Sequence, residues 1–253
     1  ICQKSMSRID DIFKELRQNN QRTVMPFVVA GHPGMDATES CLAALDSTGV
    51  RIAEVGIPFS DPIADGPTIA AAMHESLNQG VTVETVLSTI KRVRNHTSLG
   101  LIAMVSMSIV HRKGGTAFIE ALAEHGFDGV IIPDIDLHEA DALLPTIDQL
   151  DLSCAMLVAP TTTEDRLHAL LDRCRGFVYL LARTGLTGTR GDLPDLTPRV
   201  EAIRERSDLP IAAGFGISTA DQVSAACTSC DAAIVGSALV KAMNQSPEDA
   251  LAL

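Results

Sequence analysis

Residues 83–105 read VETVLSTIKRVRNHTSLGLIAMV. The first half has the helical period: Val83, Val86, Leu87, Ile90 and Val93 fall on one stripe, with polar side chains between them. From Leu99 the chain turns into a short apolar run, the pattern of a strand covered on both faces. A helix feeding a doubly buried strand is the building unit of a parallel sheet with helices packed outside it. The same unit recurs along the chain. Strand-like runs fall at 24–30, 51–55, 99–105, 129–132, 154–158, 177–181, 211–213 and 232–235. Helical periodicity occupies 37–47, 83–95, 117–124, 140–150, 164–173, 199–205 and 220–226. Eight strand–helix units in 253 residues match a closed (β/α)8 TIM barrel, of class α/β, in count and in length. An open doubly wound sheet is the alternative. It usually has fewer strands, and no G-x-G-x-x-G follows the first run. Ahead of that run, Ile9, Ile12, Phe13 and Leu16 share one face. They predict an extra N-terminal amphipathic helix that caps the bottom of the barrel. The chain is read as one barrel domain over 1–253, with 1–5 a leader before a candidate start at Met6.

Composition narrows the partners. The formal net charge is -12, which disfavours a phosphate-backbone surface and hence nucleic acid. The longest apolar stretches fall short of the ~20 residues a membrane helix needs. The first twenty residues lack an apolar signal core, so a cytoplasmic protein is expected. Six scattered cysteines do not suggest a disulfide framework. Cys227 and Cys230 have C-x-x-C spacing, but no second close pair completes a zinc set, and they are read as closing a helix. No cluster has metal-ligand spacing, so no metal is expected.

In such a barrel the active site lies where strands end and the following loops begin. The densest of these loops, 54–68, reads EVGIPFSDPIADGPT, with three prolines, two glycines and three carboxylates in fifteen residues. That exceeds what a plain strand–helix connection needs. Glu54 sits at the end of the second strand, pointing either into the barrel or toward the outer helices. Either burial raises a carboxyl pKa toward the range useful for proton transfer, unless a structural Arg or Lys pairs it. Asp61 and Asp65 taken singly fit ordinary turn chemistry. After the seventh and eighth runs come AGFGIST (213–219) and IVGSAL (234–239). Each places glycine where strand passes to helix, with a hydroxyl nearby, at the two loops that most often bind phosphate in barrels. A lone G-x-G also serves a tight turn. After the sixth run, ARTGLTGTRG (182–191) reads as a polar lid, and Gly188 is placed to lend an N–H to the phosphate. His32 faces the same end, and Asp134 is a strand-end carboxylate able to orient a loop. No Lys stands at a strand end, which disfavours a Schiff-base mechanism.

The 54–68 stretch resembles the signature of the tryptophan synthase α subunit. The framing pieces agree in order along nearly the whole chain: PFVVAGHPG at 26–34, IIPD at 131–134, YLLARTGLTG at 179–188, GFGIS at 214–218 and GSALV at 236–240. The resemblance implies a lyase that cleaves indole-3-glycerol phosphate to indole and glyceraldehyde 3-phosphate in tryptophan biosynthesis. It implies Glu54 as acid/base and Asp65 as the carboxylate for the indole N–H. Phe27, Tyr179, Thr187 and Phe215 would then surround substrate, with Gly188, Gly216, Gly236 and Ser237 at its phosphate. It further implies an α2β2 assembly with a β subunit that carries the pyridoxal phosphate, the α chain itself needing no cofactor. One stretch departs. Many relatives carry Tyr-x-Asn-Pro after the third strand, where this chain reads MVSMSI (104–109). Without the rigid turn, looser coupling to the partner is expected. Relatives often have Asp at His32 and Pro at Asp136. The alternatives are another phosphate-binding barrel isomerase or lyase, which would not need Glu54 and Asp65 in this loop, and a non-catalytic regulatory α-like subunit.

Overall fold

The computed structural model describes residues 7–62, 65–183 and 193–244. Chain order is α1 (Arg8–Gln18), β1 (Thr23–Val29), α2 (Met35–Ser47), β2 (Ile52–Gly56), α3 (Pro67–Asn78), α4 (Val83–Arg94) and β3 (Gly100–Met104). It continues α5 (Met107–Arg112), α6 (Thr116–Glu124), β4 (Gly129–Ile131), α7 (Leu137–Gln149), β5 (Ser153–Cys154), β6 (Leu157–Val158), α8 (Glu164–Leu171) and β7 (Val178–Leu181). It ends α9 (Thr197–Arg204), β8 (Ile211–Gly214), α10 (Ala220–Cys227), β9 (Ala232–Val235) and α11 (Ser237–Met243).

All named strands pair in parallel, in the order β5-β4-β3-β2-β1-β9-β8-β7-β6. The two ends of that order, β5 and β6, are consecutive pieces of one segment, separated only by Ala155 and Met156. The expected fifth strand, 154–158, is therefore split. Its first piece pairs with β4 and its second with β7, and the sheet closes on itself. The barrel of eight strand positions is present, with the fifth position counted twice.

Side chains alternate across this sheet as strand geometry requires. Met25, Ile52, Ile102, Phe177 and Ala212 pack inside the barrel. Val28, Ala53, Val55, Leu101 and Val178 pack outward against the helices. The interior is closed at the strand starts by α1. Ser7 caps α1 in a reciprocal box with Asp10. Its buried face is the predicted one, Ile9, Ile12, Phe13 and Leu16, and Phe13 meets Phe177 at 5.7 Å between ring centroids. Arg17 fixes the helix by a two-point contact with Asp231 at 2.8 and 2.9 Å, just ahead of β9. A bidentate pair of this kind orients as well as attracts.

Three helices were not anticipated from periodicity: α3, α5 and α11. The first carried a local signal in Gly66-Pro67, since proline is favoured at a first helical position. The other two have only 6 and 7 residues, too short to show a period. No helix among the described residues is long and apolar enough to cross a membrane. Cys227 ends α10 and Cys230 is buried just beyond it; no metal-ligating cluster occurs among the described residues.

Phe13→Ala should cost about 3–5 kcal/mol, because it removes a fully buried ring from the plug. Urea unfolding of the full chain measures it. A loss below about 1 kcal/mol would show that α1 does not support the barrel.

Candidate active site

Glu54 is held by β2, in register with Phe27 of β1 and Ile102 of β3. Its strand neighbours two residues back and one on either side fix its direction. Ile52 faces the interior, and Ala53 and Val55 face the helices, so Glu54 points into the barrel. The choice left open by the sequence is thereby settled. Glu54 is 0% exposed, and neither carboxyl oxygen has a hydrogen-bond partner among the described residues. No Arg or Lys among the described residues pairs it. Burial alone pushes its pKa up to about 8, so it is mostly protonated at neutral pH.

Above it opens a cavity of about 660 Å³ at the strand ends, walled by Phe27, Asp65, Met104, Tyr179, Phe215 and the turns at 216–218 and 236–237. Asp65 is half-buried in the long loop after β2, and desolvation raises its pKa to about 6. It is therefore mostly ionised at pH 7. Glu54 inside the barrel and Asp65 in the loop after β2 thus hold opposite protonation states at neutral pH, set by how much water each has lost. Tyr179 lies fully buried within the field of both; burial, then Glu54 and Asp65, hold its hydroxyl in the protonated form.

The aromatic walls need glycine beside them. A Cβ on Gly214 would come within 2.5 Å of the Tyr179 hydroxyl oxygen, and one on Gly56 within 2.5 Å of the Phe27 ring. Phe215 meets Tyr179 edge-on at 6.2 Å and 79°. It does so with φ of 74°, a left-handed conformation that costs a bulky residue of order 1–3 kcal/mol. That strain lies at the cavity wall, where it presents the ring. Gly216 follows it, and Gln222 of α10 accepts from the Ser218 backbone N–H at 2.8 Å and its hydroxyl at 3.1 Å, tying the turn back. Gly236 starts α11 without a side-chain cap, and Ser237 is the first residue of that helix.

The structure therefore brings Phe27, Asp65, Tyr179, Phe215, Gly216, Gly236 and Ser237 to one cavity. Glu54 is not part of its exposed wall; it sits beside Phe27 in the ladder, beneath that wall. Thr187 and Gly188, with most of the expected lid, lie outside the described residues. The sequence reading missed Ile69, Pro133, Leu157 and Ile234, the apolar lining. Nothing but tertiary placement separates these from ordinary core residues.

The rim after β3, which lacks the Asn-Pro turn, is tied to the turn after β4. Ser106 caps α5, donating its hydroxyl to Asp134 Oδ2 at 2.9 Å and accepting from Ser108 N–H at 3.2 Å. Asp134 Oδ1 also accepts the Met107 N–H at 2.8 Å. Asp134 is thus a loop-orienting carboxylate that holds the start of α5 by two hydrogen bonds. Asp136 caps α7 in a box with Glu139. His32 is buried, with Nδ1 3.0 Å from Glu75. Asp61 is exposed and accepts from Ser60 at 2.8 Å, as turn chemistry suggests.

A closed parallel barrel with a buried carboxyl inside it and an apolar cavity over its strand ends has the architecture of a TIM-barrel enzyme. The particular family follows from comparison with known proteins. Residues 13–252 match the family model described as tryptophan synthase alpha chain. The tryptophan synthase alpha chain of Rippkaea orientalis is 36% identical over 252 residues, 97% of this chain and 93% of that one. That of Geobacter sulfurreducens is 37% identical over 237 residues, 93% of this chain and 90% of that one. Among solved structures, Mycobacterium tuberculosis tryptophan synthase superposes with a TM-score of 0.92 at 34% identity, over 98% of this chain and 96% of that chain. Tryptophan synthase subunit alpha from Legionella pneumophila superposes with a TM-score of 0.90 at 29% identity, over 98% and 96% of the two chains. The chain belongs to the tryptophan synthase alpha chain family.

The raised pKa of Glu54 has a stability consequence of definite sign. Its folded value, about 8, lies above the ordinary 4.5, so the native state keeps a proton that the unfolded chain has released. Stability is lost as pH rises between those two values and levels off above the higher one. Replacing Glu54 by Gln removes that loss. The melting temperature of Glu54→Gln minus that of the wild type should grow from pH 5 to pH 8.5. Parallel melting curves across this range would show that Glu54 titrates normally.

Proposed function

We infer that this chain carries out the α reaction of tryptophan synthase: retro-aldol cleavage of indole-3-glycerol phosphate to indole and glyceraldehyde 3-phosphate. The observation that carries the residue assignment is a fully buried Glu54, without a partner among the described residues, beneath an apolar cavity that Asp65 lines. The carbon–carbon bond at indole C3 breaks only after C3 is protonated, which places positive charge on the ring. Glu54, protonated at neutral pH, supplies that proton by turning from beneath the wall toward the ring. Asp65, ionised, accepts the indole N–H and stabilises the charge that develops there. A base must then take the glycerol hydroxyl proton as the bond breaks, and Glu54, having given up its proton, can serve. Phe27, Tyr179 and Phe215 exclude water around the ring. The turns of Gly216, Gly236 and Ser237 receive the phosphate, and in this reading Thr187 and Gly188 close over it.

No cofactor is needed for this chemistry, because the indole ring itself takes up the electron pair. Family membership implies a β subunit as partner. We propose an α2β2 assembly in the cytoplasm, with pyridoxal phosphate carried by the β subunit. The rims after β2 and β3 would form the contact, the latter held by the Asp134 clamp. The isomerase alternative leaves Glu54 unexplained, since a partnerless buried carboxyl costs stability and needs a chemical reason.

Indole release from indole-3-glycerol phosphate, followed with and without a β subunit, tests the reading. kcat/KM should follow a bell: it rises as Asp65 ionises near pH 6 and falls as Glu54 loses its proton near pH 8. Glu54→Gln should lower kcat on the order of 10²–10⁴ fold without loss of fold. A variant that keeps more than about a tenth of wild-type kcat would falsify the assignment.

Asp65→Asn should lower kcat clearly, though less than Glu54→Gln, and abolish the acid limb of the bell. If only KM moved, Asp65 would merely bind. Gly236→Val should weaken glycerol phosphate while sparing free indole, since a branched side chain blocks backbone approach at the turn. Equal weakening of both would point to general misfolding.

A further inference from the structure

A second cavity, of about 460 Å³, adjoins the first and has no part in the reaction described above. It lies between the loop after β2, α3 and the turns after β3 and β4. Its own walls are largely apolar: Ile57, Phe59, Pro62, Met73 and Val105. Three residues line both spaces: Asp65, Met104 and Pro133. Of these, Pro133 is rigid and Asp65 is committed to the ring N–H. Met104 is the flexible one of the three. It closes β3, points into the barrel by strand alternation, and is half-buried against the apolar side chains of the barrel interior and of α3. Its side chain is unbranched and has three rotatable bonds, so it can swing between two packed positions at little cost.

The position of Asp65 sets which edge of a bound indole looks into this annex. A ring held by its N–H at Asp65, with the C3 chain running to the turns at Gly216 and Gly236, directs C6 and C7 away from those turns. The shared wall carrying Asp65 and Met104 is on that side. We propose that Met104 is the specificity-determining residue of this site. It acts as a movable partition, so that the chain accepts indole-glycerol phosphates bearing a small substituent on the six-membered ring, the substituent entering the annex. The inference rests on the indole-glycerol phosphate reading above.

The test measures binding rather than cleavage. The ligands are 3-(indol-3-yl)propyl phosphate and its 6-methyl derivative, which lack the hydroxyls needed for cleavage. Each is titrated calorimetrically into the full chain, into Met104→Leu and into Met104→Phe. The wild type and Met104→Leu should bind the two ligands within about three-fold of each other. Met104→Phe, whose rigid ring fixes the partition, should weaken the 6-methyl compound relative to the parent by about ten-fold or more, the scale on which one methylene is discriminated in a pocket. A wild type that already rejects the 6-methyl compound more than about ten-fold overturns the proposal, whether or not the variants fold. So does a Met104→Phe variant with an unchanged ratio. If neither ligand binds the wild type, the indole-glycerol phosphate reading fails as well, whereas binding of both with no effect of Met104→Phe overturns only the role of Met104.

Discussion

A carboxyl group that has lost its water and gained no partner keeps its proton, and Glu54 meets that condition among the described residues. In water the group would be ionised at neutral pH and useless as an acid. Here the strand ladder aims it inward, the Phe27 and Tyr179 rings lie close by, and no cation among the described residues compensates it. The same desolvation, weaker at Asp65, leaves that residue ionised. One physical effect applied at two depths therefore prepares an acid and an anion side by side. It also opposes folding, because holding an unsatisfied carboxyl inside the barrel costs stability that the surrounding core must offset.

The rest of the architecture serves that environment. Aromatic rings can crowd the strand ends only because Gly56 and Gly214 leave room for them. The opposite end is sealed by α1, whose apolar face and Arg17–Asp231 contact keep water from the interior below the carboxyl. Closure of the sheet through the split fifth strand removes any open edge. Without closure the interior would be wet and the pKa of Glu54 would relax toward its ordinary value. Stability at the sealed end and reactivity at the open end are thus two consequences of one dry interior.

The rim after β3 shows how different residues can give one loop similar stiffness. The segment carries no proline, but Ser106 and Asp134 tie it into a capped helix. Removing a rigid residue therefore does not leave a floppy loop when a neighbouring carboxylate can accept backbone and side-chain donors together. Met104, just before this clamp, stands on rigid backbone while its own side chain stays adaptable.

Much of this was legible in the sequence. Short apolar runs of the kind buried on both faces, alternating with helical stripes, pointed to a parallel sheet, and their number and spacing favoured the barrel over an open sheet. The face Ile9–Ile12–Phe13–Leu16 determined α1, and EVGIPFSDPIADGPT with the two glycine turns determined where chemistry lies and to which family the pattern belongs. Each of these is carried by residues close in the chain. What only the tertiary structure decided depends on contacts between distant segments. The direction of Glu54 and its want of a partner, the opposite protonation of Asp65, the strained placement of Phe215, and the clamp from Asp134 to Ser106 are all of this kind. So are the apolar lining at Ile69, Pro133, Leu157 and Ile234, and the annex beside Met104. Local pattern can say that a side chain is apolar or titratable. Only packing sets how much water it loses and which neighbour it meets, and those two quantities fix its pKa and its role.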